Sequence, residues 1–221
     1  LNLLLRTRLS TDGLAQLAAC QANTLFPDGN SVVVADVEVG VRGALARLEH
    51  CFSRVSNRYF FDGGAAVFDH LHGDQYAMWL YFLSNELHQC GASSGLCKKL
   101  FLLNKALHGC DIFYEIELPS VFLLVHPLGT VLGRAQYADY LVVYQRCGVG
   151  SNHNVYPKLG SHVTLHPGGA ILGRSSVGSY CSIAAESLLL DQDLPNNSLY
   201  IGNPRDYLIR PQAGPLHIWR L

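Results

Sequence analysis

A chain of 221 residues, 49% of them hydrophobic, is long enough to bury a substantial core in one large domain or two small ones. Its net charge of −1 excludes the basic excess that nucleic-acid and membrane-surface binders carry, and no run of about 18 apolar residues offers a membrane span. Seven cysteines, an odd number without C-x-x-C spacing, lie among apolar neighbours such as Leu17, Ala18 and Ala19 before Cys20. That usage predicts buried, reduced thiols in a cytosolic protein.

The first hundred residues read as helices. Ser10, Thr11 and Asp12 offer capping oxygens ahead of Leu14, Leu17 and Ala18, and Pro27, Asp28 and Gly29 break the segment. Val37, Val41, Ala44, Leu45, Leu48, Phe52 and Val55 recur at helical spacing, while the β-branched run Val32 to Val34 ahead of them is able to open as a strand. Gly63 and Gly64 mark a turn. A third helix carries Tyr76, Leu80, Leu83 and Leu87 on one face and closes at Gly91; a fourth carries Leu96, Leu100, Leu103 and Leu107 and ends at Gly109. A helical domain over residues 1–109 follows. His70, His72 and Asp74 form an H-x-H-x-D cluster, but without a fourth ligand it reads as a helix start, and no metal is expected.

The period then changes. Leu159, Leu165, Ile171, Val177, Ile183 and Leu189 fall six apart, and Val163, Gly169, Ser175, Cys181 and Ser187 follow the first five at a fixed phase. A large apolar residue and a small one at that phase suit short flat strands wound round a triangular prism, six residues to a face, stacked roughly 4.8 Å apart. Ahead of this run, Ile112, Leu118 and Leu124 keep the interval, Thr130 and Gln136 keep it without apolar side chains, and Leu141, Cys147 and His153 resume it shifted by one residue. The expected architecture is α+β: the helical domain, a β-helix of roughly five coils over 110–205, and a tail over 206–221. Phe122, Leu123 and Leu188 are expected as exposed apolar residues on its faces, to be covered by oligomerisation.

Leu103-Asn104-Lys105-Ala106-Leu107-His108-Gly109-Cys110-Asp111-Ile112 and His126-Pro127-Leu128-Gly129-Thr130-Val131-Leu132-Gly133-Arg134-Ala135 resemble the two signature segments of the serine O-acetyltransferases. Tyr156-Pro157-Lys158-Leu159-Gly160, Gly169-Ala170-Ile171-Leu172-Gly173 and Gly202-Asn203-Pro204-Arg205 are similar to that family's later coils and tail. The resemblance covers about half the chain. It implies left-handed winding, which no general rule predicts, since parallel crossovers are otherwise right-handed.

Acyl transfer from a thioester to an alcohol needs a base near neutrality, which imidazole supplies best. His126 lies in the repeat region and Asp111 fifteen residues before it, close to one eighteen-residue coil, so the two fall on neighbouring coils where a carboxylate can fix the ring's tautomer. The resemblance makes them base and orienting partner. It also implies acetyl-CoA as co-substrate in a groove between the β-helices of a homotrimer or dimer of trimers, with Gly150, Pro167 and Ala185 in the places of backbone contacts and Arg205 or Lys158 facing phosphates. Pro167 departs from the family in lacking an N–H.

Departures at the acceptor end are sharper. Where the family carries an aspartate before the catalytic histidine and an Arg-His pair before Pro-Lys, this chain has Val125, Val155 and Tyr156, and its Gly150 to Pro157 loop brings Asn152, His153 and Asn154. A zwitterion in a site without opposite charges loses hydration and gains no ion pair. The expected acceptor is therefore a sugar or carrier-linked hydroxyl, met by Val125, Asn152 and Tyr156, unless Asp62, Asp69 or Arg58 replace the missing partners. The alternatives are a genuine serine O-acetyltransferase and a non-catalytic solenoid scaffold.

Overall fold

The computed structural model describes residues 4–212, 214 and 217–220. They form two compact units, one running up to His108 with Phe113–Glu115 and Arg220, the other comprising Gly109–Ile112 and Ile116–Trp219.

The first unit holds four helices, α1 (Thr11–Leu25), α2 (Val34–Phe52), α3 (Gly73–Gln89) and α4 (Ser94–His108). Ser10 caps α1, its Oγ accepting from the Gly13 N–H. The Val32 to Val34 run forms no strand; Val33 is the extended residue before α2. Gly40 lets α2 approach α3, because a Cβ there would stand 2.7 Å from Leu87 Cγ. α3 is buried nearly all round, from Gln75 to Asn85 and at Leu87, as suits the central helix of a bundle. Helical periodicity gave no sign of a small sheet ordered β1-β3-β2, made of β1 (Leu5–Thr7), β2 (Phe61–Asp62) and β3 (Ala65–Phe68). Gly63 and Gly64, at φ 54° and 83°, turn the β2–β3 hairpin with a backbone that glycine adopts freely.

The second unit is a parallel solenoid of about four turns, one fewer than the spacing suggested. One face stacks β4 (Phe122–Leu124), β7 (Leu141–Val143), β10 (Thr164–Leu165), β13 (Ser182–Ile183) and β15 (Ser198–Asn203). A second stacks β5 (Val131–Leu132), β8 (Gly148–Gly150), β11 (Ala170–Leu172) and β14 (Leu188–Leu190), and a third β6 (Gln136–Tyr137), β9 (Lys158–Leu159) and β12 (Ser176–Val177). β16 (Asp206–Pro211) pairs antiparallel with β15, so the stretch counted as a fifth coil is a hairpin closing the stack.

Register corrects the reading of the early coils. Leu124, Val143, Leu165, Ile183 and Tyr200 form one inward column, and Leu132, Val149, Ile171 and Leu189 another. Tyr137 is level with Leu159 and Val177, while its neighbour Gln136 is exposed. Leu141 and Cys147, each 1% exposed, point inward but in the small-residue position, two ahead of Val143 and Val149 and level with Val163 and Gly169. Thr130 is fully buried in that phase, where its Oγ donates to Tyr144 O at 2.9 Å, so the missing apolar side chain is a satisfied hydroxyl. His153 belongs to no coil, being at φ 49° in a loop excursion. Phe122 and Leu123 are 0% and 3% exposed and Leu188 half-buried; the exposed apolar residues of this unit include Leu128, Val131, Val155 and Tyr156 instead.

The corners are positional too. Every non-glycine residue with left-handed φ among the described residues lies in this unit, and Tyr140, His162, Tyr180 and Asn197 form one corner column. The Tyr140 and His162 rings stack at 4.3 Å and those of His162 and Tyr180 at 4.5 Å, a set of contacts that offsets part of the cost of the left-handed backbone.

Candidate functional site

The steps between inward residues locate the site. From Val143 to Val149 takes six positions, but from Leu124 to Leu132 takes eight, so one turn carries a short excursion at its corner. Val125 still follows the ladder, its N–H donating to Val143 O at 2.9 Å. The chain rejoins at Leu128 and Gly129: Arg146 N–H donates to Leu128 O and Gly129 N–H to Gly109 O, both at 2.9 Å. The two extra residues are His126, which is exposed, and Pro127, which is buried. His126 takes φ 50°, and its carbonyl accepts from the Leu128 N–H at 2.7 Å, closing a tight turn about Pro127. The imidazole is thereby carried on an exposed bulge of a stiff coil.

Asp111 lies in the chain segment that pairs with the coil bearing this bulge. Its N–H donates to Thr130 O at 2.8 Å, its carbonyl accepts from Leu132 N–H at 3.0 Å, and it bridges Val131 in parallel register. Ile112 beside it is 2% exposed and points in, so the half-buried Asp111 projects to the outer face, as does Val131 at 50% exposure. Burial pushes the Cys110 thiol beside it up to about 12, which favours the thiol over the nucleophilic thiolate. All seven cysteines are unbridged; Cys20 and Cys90 are exposed, contrary to the uniformly buried reading, because each lies on or beyond the outer surface of its helix.

The remaining candidates are spread along the solenoid. Pro167 and Ala185 share one corner column with Leu128 and Gln145. Pro167 needs no N–H to hold that place, since it contributes the carbonyl that accepts from Glu186 N–H at 2.9 Å. Gly150 stands at the far end of the neighbouring sheet, level with Leu172, and a Cβ there would meet nothing nearer than 4.0 Å. Arg205 is exposed at the tip of the β15–β16 hairpin.

Asn152 and Tyr156 lie at a different corner from Val125 and His126. There the chain makes a second excursion, ten positions from Val149 to Leu159, in which Asn152 and Val155 exchange backbone hydrogen bonds around His153 and Asn154, both at left-handed φ. The Asn152 amide donates to Asp191 Oδ2 at 2.6 Å, which pins the loop and uses one of its two N–H donors. Tyr156 instead lines a hollow of about 240 Å³ with Arg134, Gln136 and Lys158. Val125 and His126 therefore lie on the turn whose next strand pairs with Asp111, whereas Asn152 and Tyr156 lie at another corner. Sequence reasoning passed over Gln145, which lies below Leu128 and buries an unpartnered Oε1; the eight-position step was the signal that its column starts beside His126.

His70, His72 and Asp74 do not converge: among the described residues no three histidine, cysteine or acidic side chains come close enough to hold a metal. Among the described residues, no helix is long and apolar enough to cross a membrane.

No family model matches the chain. Serine acetyltransferases of Staphylococcus aureus strain Mu50 and Staphylococcus epidermidis strain ATCC 12228 are each 22% identical to it over 134 residues, 58% of this chain, and the match spans 62% of the length of these relatives. The solved serine acetyltransferase of Brucella abortus strain S19 superposes with TM-score 0.72 at 19% identity over 93% of this chain and 85% of that one, and its coenzyme A complex with TM-score 0.71 at 19% over 95% and 85%. The Neisseria gonorrhoeae enzyme gives 0.68 at 19% over 95% and 81%. The class is thereby set: a helical region followed by the left-handed hexapeptide-repeat β-helix. Within that class, the fold is the one serine acetyltransferases have.

Proposed function

We propose that this chain is an acetyl-CoA-dependent O-acetyltransferase in which His126 is the general base and Asp111 holds its imidazole. The observation that carries the reading is the His126-Pro127 bulge beside the strand that pairs with Asp111, on a fold shared with an enzyme crystallised with coenzyme A. In this reading His126 takes the proton of the acceptor hydroxyl as its oxygen bonds to the thioester carbonyl carbon; the carbon–sulfur bond breaks, and the imidazolium returns the proton to the departing thiolate. Asp111 keeps the ring in one tautomer and stabilises its charged form. The thioester arm lies along the columns of Pro167, Ala185 and Gly150, whose small or rigid side chains leave backbone accessible, with Arg205 or Lys158 toward the phosphates.

The acceptor is a sugar or a carrier-linked hydroxyl, and the assembly a homotrimer or a dimer of trimers in the cytoplasm. Val125 puts an isopropyl group where serine's ammonium would need a carboxylate, and Asn152 and Tyr156 reach an acceptor held by His126 only from a neighbouring copy, since they occupy another corner. Thiol release from acetyl-CoA with a panel of sugars and with L-serine tests this. Sugar turnover above serine turnover is expected. Serine used with a millimolar or lower KM and kcat in the common range of about 1–10³ per second contradicts the acceptor assignment, and no thiol release with any hydroxyl contradicts the enzyme reading.

A further inference from the structure

We infer that a hollow in the helical unit, apart from the solenoid chemistry and independent of it, binds a small organic anion. The hollow measures about 350 Å³, within the range of small-molecule sites. Three arginines line it. Arg6 and Arg8 flank Thr7 on and just after β1, so strand alternation puts both on one face, and Arg58 enters from the loop before β2.

Two of the three charges are partly balanced. Arg6 pairs with Asp62 and Arg8 with Asp69, each through one Nη2 at 3.2 Å. A guanidinium has five N–H donors, so each keeps donors for another oxyanion. Arg58 has no carboxylate within 4.0 Å among the described residues; its neighbour is the Tyr59 hydroxyl at 3.4 Å. The lining therefore carries one positive charge in excess.

The wall is held in advance of any ligand. Gln75 is 0% exposed, its Oε1 accepting from Asp69 N–H and its Nε2 donating to Tyr59 O, both at 2.7 Å. Bonded at both ends, it ties the loop bearing Arg58 and Tyr59 to the end of β3. His72 completes the wall, preceding α3 without a side-chain cap, and its buried Nδ1 has no partner. An unsatisfied nitrogen and an uncapped 17-residue helix are costs in plain packing but suit an anion site. Tyr59, 55% exposed, offers a ring to an organic body.

The ligand has a carboxylate or phosphate monoester that Arg58 meets with the spare donors of Arg6 and Arg8. The test is calorimetric titration of the full chain with citrate and, separately, with inorganic phosphate, against sodium chloride at matched ionic strength. Saturable one-site binding is expected with one or both, and the arm that saturates tells carboxylate from phosphate. Arg58→Gln, at an exposed position, should raise Kd about tenfold or more, and Arg8→Gln should weaken the same binding while the thermal midpoint in chloride stays that of the wild type. No saturation with either anion overturns the inference, and so does saturation that both substitutions leave unchanged.

Discussion

At the scale of single residues, the proposed chemistry rests on a backbone device. Two extra residues in one corner free His126 from the stacked columns and set it at left-handed φ, with the carbonyl tied to Leu128 N–H. A histidine kept in column would face the same packed corner as Gln145 below it. Asp111 by contrast sits in regular register, where Ile112 is sunk in the core and fixes which way its neighbour points. Asp111→Asn keeps that register and shape but cannot hold the protonated ring, so kcat should fall by about two orders of magnitude or more with little change in the acceptor's KM. Steady-state kinetics checks it; turnover within about twofold of the wild type removes Asp111 from the mechanism. The sequence alone was enough to propose both residues. The bulge was not legible there, because Thr130, Leu141 and Cys147 lie in the small-residue inward position and mimic the large one.

At the scale of elements, the solenoid was legible where its sequence is most regular, from Leu159 to Leu189, and mis-phased before that. The reason is physical: a repeat is readable from periodicity only while each face takes six residues, and both loop excursions break that interval. The three-stranded sheet of the first unit escaped notice because its strands are two to four residues long, too short for alternation to show. The aromatic corner column adds a stability consequence. Burial holds the His162 imidazole below its ordinary range, both of its nitrogens lack a partner, and His166, stacked on Tyr144, is shifted down by burial as well. A histidine with lowered folded pKa binds its proton more readily when unfolded. Stability from these residues is thus present above the unfolded value of about 6.5 and is lost as pH falls below it toward the lower folded values. Urea midpoints measured from pH 7.5 down to 5 should fall with pH, and His162→Phe, which keeps a stacking ring without a titrating group, should flatten the fall. A pH dependence unchanged in His162→Phe would show that the column does not respond to acid.

At the scale of the whole molecule, the exposed apolar residues around the bulge set the expectation for assembly. Leu128 is 67% exposed and Val131 50%, both within five residues of His126, while Val155 and Tyr156 are 44% and 40% exposed at another corner. Two apolar patches at different corners of a three-faced prism suit a closed ring in which one corner of each copy meets another of the next. Light scattering at micromolar concentration should give a mass of three chains or a multiple of it. A monomer would leave Asn152 and Tyr156 out of reach of His126 and contradict the proposed shared site.

The central claim, that His126 draws a proton from a hydroxyl in acyl transfer, is tested most directly by replacing it. With the acceptor that gives the fastest thiol release from acetyl-CoA, His126→Ala should lose about 10²- to 10⁴-fold in rate while its circular dichroism and assembled mass match the wild type, because His126 is exposed and outside the buried columns. A His126→Ala protein that folds, assembles and turns over near the wild-type rate would contradict the account.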